Sequence, residues 1–268
     1  MKEHDPPPTP EDSGPAGAPG AAVGAQKLPD LHRSDSRRLA RCVEDLHTAH
    51  PERLQSISLT GEAATGDYRA RRSPLSLVVV VDSITPAVLR ATQKFMRRRH
   101  WRRAGVPLLI DPRYIESSLD VFPLEFLDFV DRHVTLHGED PFTGLRIDTL
   151  HLRMEVEERL RGKMLHLWEA YLRCGGRPRA LRRLLLETPV EFEIGLRGLL
   201  RLHLDERPPT GLGIVAEVQD NLGVELPTLV RLEQVRAGGD KLARAELADV
   251  FDAYLDEVRT LVRLVDEL

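Results

Sequence analysis

The chain has 268 residues and a formal net charge of −4, and 41% of its residues are hydrophobic and 30% charged. This length and apolar content exclude a wholly disordered protein and predict one large domain or two small ones. The negative net charge does not indicate a nucleic-acid-binding protein, and no apolar run reaches the roughly 18 residues that predict a membrane span.

Residues 1–32 are predicted to form a disordered tail rich in proline, glycine and alanine. Seven of the 19 prolines fall within the first 30 residues, where large apolar side chains are few. Such a segment buries too little surface to offset the entropy lost on ordering. The tail has no apolar signal-peptide core, and Cys42 and Cys174 match no disulfide framework or zinc spacing. These features favour a cytoplasmic protein in a reducing compartment.

Residues 33–147 are predicted to form a small α/β domain. An amphipathic helix follows Ser34, and its apolar positions keep helical spacing. These positions are Leu39, Cys42, Val43 and Leu46. A strand at 56–60 ends before Gly61, and a second strand at 75–82 contains four consecutive valines. Consecutive valines indicate burial on both faces, which is typical of a central strand.

The rest of this domain is predicted to continue the alternation of helix and strand. Pro86 begins a helix over 87–105, and Gly105 closes it. The later elements are a strand at 106–111, a short helix near 112–119, and a fourth strand followed by a turn within 123–138.

Residues 148–268 are predicted to be helical throughout, because their apolar residues recur at helical spacing and glycine or proline pairs separate the segments. The predicted helices cover 148–176, 178–204, 210–222, 226–237 and 243–267. The expected fold class is therefore α+β, with a small mixed-sheet domain followed by an all-α bundle.

The stretch LTGEAATGDYRARRSPLSLVVVVD at 59–82 carries the one informative motif. A strand ends in Gly61, a short loop follows, and a second strand begins after Ser73. This pattern resembles the nucleotidyltransferase superfamily, whose polymerase-beta-like fold has a strand, Gly-Ser, a loop and then Ser-Asp-x-Asp. The resemblance implies a nucleotidyltransferase-like domain, a helical second domain, a nucleoside triphosphate and two divalent metal ions held by three carboxylates.

The resemblance assigns roles to individual positions. It implies that Gly61, Glu62, Ser73 and Ser76 line the nucleotide site. It places a third acidic residue on a strand at 124–129, where Glu125 is the first choice and Asp128 the second. Asp67 on the loop is a further metal candidate beside Glu125.

This chain departs from the family pattern at the metal ligands. Pro74 and Ser76 stand where the family has its two carboxylates, and Glu62 stands where it has serine. Hard divalent cations need several oxygen ligands, and one glutamate does not supply them. The residues therefore predict a pseudoenzyme without a cofactor, in which Glu62 and Glu125 are vestigial. Such a protein is expected to bind a protein partner through its helical domain and to retain some affinity for a nucleoside triphosphate.

The alternative is a divergent metal-dependent nucleotidyltransferase. It would use Glu62, Asp67 and Glu125 with magnesium to move a nucleoside monophosphate from a triphosphate to a small molecule, a protein or RNA. Asp82 does not join this set, because it lies six residues beyond Ser76, about 20 Å along an extended strand. We interpret Asp82 as a cap at the strand end.

The segment KFMRRRHWRR at 94–103 contains six basic residues in ten. Its first interpretation is the solvated face of a helix, since runs of like charge commonly face solvent. Its second interpretation is a reader of RNA or nucleotide phosphates. Nucleic acid therefore stays a minor alternative among the partners, and no membrane partner is predicted.

Overall fold

The computed structural model describes residues 30–65, 68–70, 73–204 and 213–267. Its first part contains a four-stranded mixed sheet with strand order β3-β2-β1-β4. The strands are β1 (Leu54–Thr60), β2 (Ser76–Val81), β3 (Leu108–Ile110) and β4 (His133–Gly138). β1 pairs antiparallel with β2 and with β4, and β2 pairs parallel with β3.

β2 is buried on both faces, as its valines predict. Val79 and Val81 pack in a core with α1 (Arg33–Ala49), which covers one face of the sheet. Val78 and Val80 pack in a separate core on the other face, together with Phe126. Successive side chains of a strand point to opposite faces, so one apolar run supplies both cores.

The single helix predicted over 87–105 is two helices. α2 covers Pro86–Met96 and α3 covers Trp101–Ala104, and the chain turns between them. The turn brings Arg98, His100 and Trp101 onto the buried carboxylate of Asp45 in α1. These contacts stabilise the turn, whereas a continuous helix would spread the three side chains around its axis.

The strand predicted within 123–138 is wrong over its first half. After α4 (Pro112–Ser118), residues Pro123–Asp131 form helix α5, and β4 begins only at His133. Leu124 and Leu127 pack in the core of the helical half, while Phe126 packs toward the sheet. As a helix, this apolar run can place some side chains in one core and others in the second core.

The second half is helical, and one continuous core joins its elements. The helix predicted over 178–204 breaks at Thr188, where Pro189 begins a new helix. The helices are α6 (Thr149–Cys174), α7 (Pro178–Glu187), α8 (Pro189–His203), α9 (Ile214–Leu222), α10 (Pro227–Ala237) and α11 (Leu247–Asp266). The architecture is α+β, as the sequence predicts, and both cysteines are buried and free.

The boundary at residue 147 stays a prediction, because the helical core also takes in α5. Within the described ranges, no helix combines the length and the apolar character that crossing a bilayer requires.

Glu233 of α10 provides a test of the helical core by pH. Its side chain is buried, and the loss of solvation raises its pKa from 4.5 to about 7, although Arg236 partly opposes this. The folded protein therefore keeps a proton that the unfolded chain releases, and stability falls as the pH rises from about 4.5 through 7. We expect Glu233→Gln to be more stable than the unchanged protein by about 2 kcal/mol at pH 8.5.

Urea unfolding at several pH values measures this effect. The gain is expected to disappear at pH 4, where the glutamate is protonated in both states. The exposed Glu225→Gln serves as control and is expected to change stability little at either pH. A gain in Glu233→Gln that is the same at both pH values would contradict the proposed burial of a protonated carboxyl.

Candidate functional site

The end of β1 and the start of β2 lie side by side at one edge of the sheet. Thr60 stands opposite Ser76 in the antiparallel register, and its hydroxyl donates to the Ser76 carbonyl oxygen at 3.4 Å. Gly61 follows at φ +70°, a backbone conformation that favours glycine. Its amide donates to the carbonyl of Arg132 at 3.1 Å, which fixes the turn against the end of α5.

The turn after β1 and the entry to β2 are joined by a carboxylate and a hydroxyl. Gly61–Ala64 form a short 3₁₀ turn, from which Glu62 extends. The buried hydroxyl of Ser73 donates to Glu62 Oε2 at 2.5 Å. The same hydroxyl accepts the amide of Arg69 at 2.9 Å, and the Ser73 amide donates to the Arg69 carbonyl at 2.9 Å. The structure thus brings Glu62 and Ser73 together, and Asp67 lies outside the described residues.

Glu125 does not lie on a strand, and this part of the prediction is wrong. It is in α5, where Arg159 of α6 donates to its carboxylate at 2.7 Å and also binds Glu155. Glu125 lies seven residues before Arg132, whose carbonyl accepts the Gly61 amide. Seven residues span about 10 Å of helix, and this distance separates Glu125 from the turn. The second choice, Asp128, is paired with Arg197 at 3.0 Å.

The strand beside the turn carries a histidine that sequence reasoning missed. His133 begins β4 directly opposite Thr60, so His133, Thr60 and Ser76 form one row across three adjacent strands. Directly opposed residues in antiparallel strands share a sheet face. The His133 ring lies 2.7 Å from the Phe129 carbonyl and 3.0 Å from Asp140 Oδ1. The HGED sequence at 137–140, which includes the last two residues of β4, gave a signal only for a turn.

Asp140 is the carboxylate that holds the far side of this histidine. Burial raises the pKa of Asp140, but hydrogen bonds from the Phe142 amide and from His133 outweigh it and leave the pKa below its ordinary value. Asp140 is therefore an anion that orients the His133 ring beside the row.

Asp82 lies at the other end of β2, as predicted. Its carboxylate accepts the amide of Ser83 at 2.7 Å and lies 3.7 Å from Arg53. Both contacts are those of a strand-end cap. Asp82 therefore lies at the end of β2 that is remote from the turn at Gly61.

Comparison with known proteins supports the fold but not a family. No family model matches the chain, and no curated protein matches its sequence. Among solved structures, the chain is similar to spectinomycin adenyltransferase AAD(9) from Enterococcus faecialis with ATP and spectinomycin. The sequence identity is 9%, the TM-score is 0.50, and the match covers 86% of this chain and 99% of that chain. This chain has a nucleotidyltransferase-like fold.

The nucleotidyltransferase-like fold was expected from the motif around Gly61, and the likeness confirms that expectation for the fold. The donor set at the start of β2 does not fit the two metal ions of the family pattern. Ser76 offers a hydroxyl, and Pro74 offers no side-chain oxygen. Among the residues that the structure describes, no three histidine, cysteine or acidic side chains are grouped as metal ligands.

The basic segment of the nucleotidyltransferase-like domain is divided between two roles. Arg98 and His100 pair with Asp45, and the guanidinium of Arg98 also lies 4.6 Å from the centre of the Phe95 ring. The other basic side chains are exposed: Lys94, Arg97, Arg99, Arg102 and Arg103. Part of the segment is thus structural, and the aromatic Trp101 is buried rather than free to stack on a base.

Proposed function

We propose that this chain is a nucleotidyltransferase-fold protein that has lost catalysis and acts as a binding or regulatory protein. The chemistry of the β2 start carries the proposal. Two divalent ions in a phosphoryl-transfer site are held by several anionic oxygens, which also offset the charge of the triphosphate. The positions that the family uses for two of these carboxylates hold Pro74 and Ser76.

Two of the remaining candidate acids, Glu62 and Glu125, are engaged in other contacts, which supports the same conclusion. Glu62 accepts the hydroxyl of Ser73, and this bond joins the turn after β1 to the entry of β2. Glu125 accepts a hydrogen bond from Arg159 at the contact between α5 and α6. Recruiting either carboxylate to a metal ion would break a contact that connects two elements.

An exposed apolar stripe on α6 supports a role in binding a protein. Leu165, Trp168 and Leu172 follow helical spacing and are 52%, 39% and 77% exposed. Clustered exposed apolar side chains are typical of protein–protein contacts. We therefore place the protein partner on the helical half, while the turn at Gly61 keeps a weak affinity for a nucleoside triphosphate.

Thermal unfolding with each nucleoside triphosphate tests the loss of the metal site. A ligand at about 100 times its dissociation constant adds about 2.7 kcal/mol, which raises the midpoint by about 5–11 °C in a protein of this size. We expect any shift caused by a triphosphate to be no larger with magnesium or manganese than with EDTA. A larger shift with metal, with pyrophosphate release that Glu62→Gln or Glu125→Ala abolishes, would establish the divergent transferase instead.

Restoring the family carboxylates provides the converse test. The double variant Pro74→Asp/Ser76→Asp is expected to gain a magnesium-dependent shift of about 5–11 °C with a triphosphate at about 100 times its dissociation constant, because it adds two anionic ligands beside the turn. The matched control is Pro74→Asn/Ser76→Asn, which has nearly the same shape without the charge and is expected to show no such gain. If both variants behave alike, these positions do not correspond to the family's metal ligands.

A further inference from the structure

One cavity in the helical half has a strongly basic lining. It is an open groove of about 810 Å³ at the first turns of α7. We call it the arginine groove, and its lining consists of Arg177, Pro178, Arg179, Ala180, Arg183 and Arg244. Four of these six residues are arginines from two separate segments of the chain, and none of the six is acidic.

The two acids nearest to Arg244 along the chain are both paired with another arginine. Arg231 of α10 binds Asp240 at 2.9 Å and both oxygens of Glu246 at 3.1 Å. The amide of Ala243 also donates to Glu246. Among the described residues Arg244 itself forms no ion pair, and its exposed side chain is available to a ligand.

The other three arginines of the groove differ in how firmly they are held. Arg177 donates to the carbonyl oxygens of Cys174 and Arg173 at 3.0 and 3.1 Å, which fixes its guanidinium against the end of α6. Arg183 has one distant partner, Glu187 at 3.8 Å, and this pair is largely exposed. Arg179 is exposed and forms no ion pair among the described residues. The groove is thus lined by one fixed arginine, Arg177, and by two adjustable ones together with Arg244.

We propose that the arginine groove binds a ligand that carries a chain of two or three phosphates. Arginine presents planar pairs of N–H donors that match phosphate oxygens, and it stays charged at any physiological pH. The volume is that of a small-molecule site. No aromatic side chain lines the groove to stack on a base, so we expect it to recognise the phosphates and not the nucleoside.

This inference is independent of the proposed loss of catalysis. The groove belongs to α7 and to the segment before α11, whereas the motif around Gly61 belongs to the sheet. Binding in the groove needs no metal ion, because the arginines themselves supply the positive charge. Magnesium is expected to weaken this binding, since it neutralises part of the phosphate charge.

Isothermal titration calorimetry of the full chain with sodium tripolyphosphate in EDTA tests the inference. We expect Arg179→Gln/Arg244→Gln to weaken binding by about tenfold or more, because each lost arginine removes a charge-assisted hydrogen bond. The control Arg97→Gln/Arg103→Gln removes the same charge from the exposed basic segment and is expected to change affinity less than about threefold. All four positions are exposed, so both variants are expected to fold.

Titrations with other ligands show whether the groove recognises the phosphate chain alone or the nucleoside attached to it. ATP in EDTA is expected to bind within about threefold of tripolyphosphate, and adenosine is not expected to bind. The inference would be overturned if tripolyphosphate failed to bind, if both double variants lost affinity equally, or if ATP bound more than tenfold tighter. A single-stranded RNA that bound more tightly than tripolyphosphate and depended on Arg179 and Arg244 would assign the groove to nucleic acid instead.

Discussion

Replacing Asp45 by alanine is expected to lower the free energy of unfolding by about 2–4 kcal/mol, because the buried Trp101 indole loses its acceptor and Arg98 and His100 lose their shared partner. Asp45 lies on α1 and its side chain is 4% exposed. Its carboxylate accepts the Trp101 indole N–H at 2.9 Å, lies 2.7 Å from the His100 ring and pairs with Arg98. The variant leaves the indole N–H buried without an acceptor.

Urea unfolding of Asp45→Ala beside Asp45→Asn and Glu44→Ala makes the measurement specific. Asparagine keeps the shape and one acceptor oxygen but not the charge, so its loss is expected to lie between those of the other two variants. Glu44 is the exposed neighbour on α1, and its replacement is expected to change stability by less than about 0.5 kcal/mol. A loss of under 1 kcal/mol in Asp45→Ala would contradict the view that Asp45 holds the turn between α2 and α3.

The sequence predicts β2 well because its pattern has few alternatives. An apolar run of this length, bounded by polar residues and rich in β-branched side chains, fits a buried strand. Its alternation even assigns Val78 and Val80 to one face and Val79 and Val81 to the other. The amphipathic pattern of α1 is equally local, and its predicted start at Ser34 agrees with the structure to within a residue or two.

α5 shows where local reasoning fails. A short apolar run such as PLEFLDFVD fits a strand or a helix equally well by periodicity. The choice depends on partners distant in sequence, since Leu124 contributes to the core of the helical half and the Leu124 amide donates to Glu155 of α6. The break at 97–100 has the same origin, because it depends on Asp45 in another helix.

The candidate site likewise has one part that the sequence predicts and one part that it does not. The turn at Gly61 was predictable because glycine, loop and strand are adjacent in the chain. The row formed by His133, Thr60 and Ser76 was not, because it exists only once β4 pairs with β1. The separation of Glu125 from the turn follows from the same α5 helix that the sequence did not predict.

The sheet that holds this row depends on one glycine, and its replacement is expected to have the largest effect of all. Gly138 ends β4 opposite Ser56, at φ +75°. A Cβ atom at this position would lie 1.8 Å from the carbonyl oxygen of Gln55, which is backbone and has no rotamer to change. We expect Gly138→Ala to cost more than about 4 kcal/mol, because β4 has to move away from β1.

Gly144→Ala is a matched control, because it separates the cost of the backbone conformation from the cost of the clash with Gln55. Gly144 has nearly the same φ, +76°, but an added Cβ would meet nothing within 4 Å. Its replacement is therefore expected to cost only about 1 kcal/mol, the price of the left-handed backbone. Urea unfolding gives both losses, and hydrogen exchange of the β1 amides shows whether Gly138→Ala loosens the pairing that places His133 beside Thr60. Equal losses in the two variants would mean that the close approach of Gly138 to Gln55 does not hold β4 in its register.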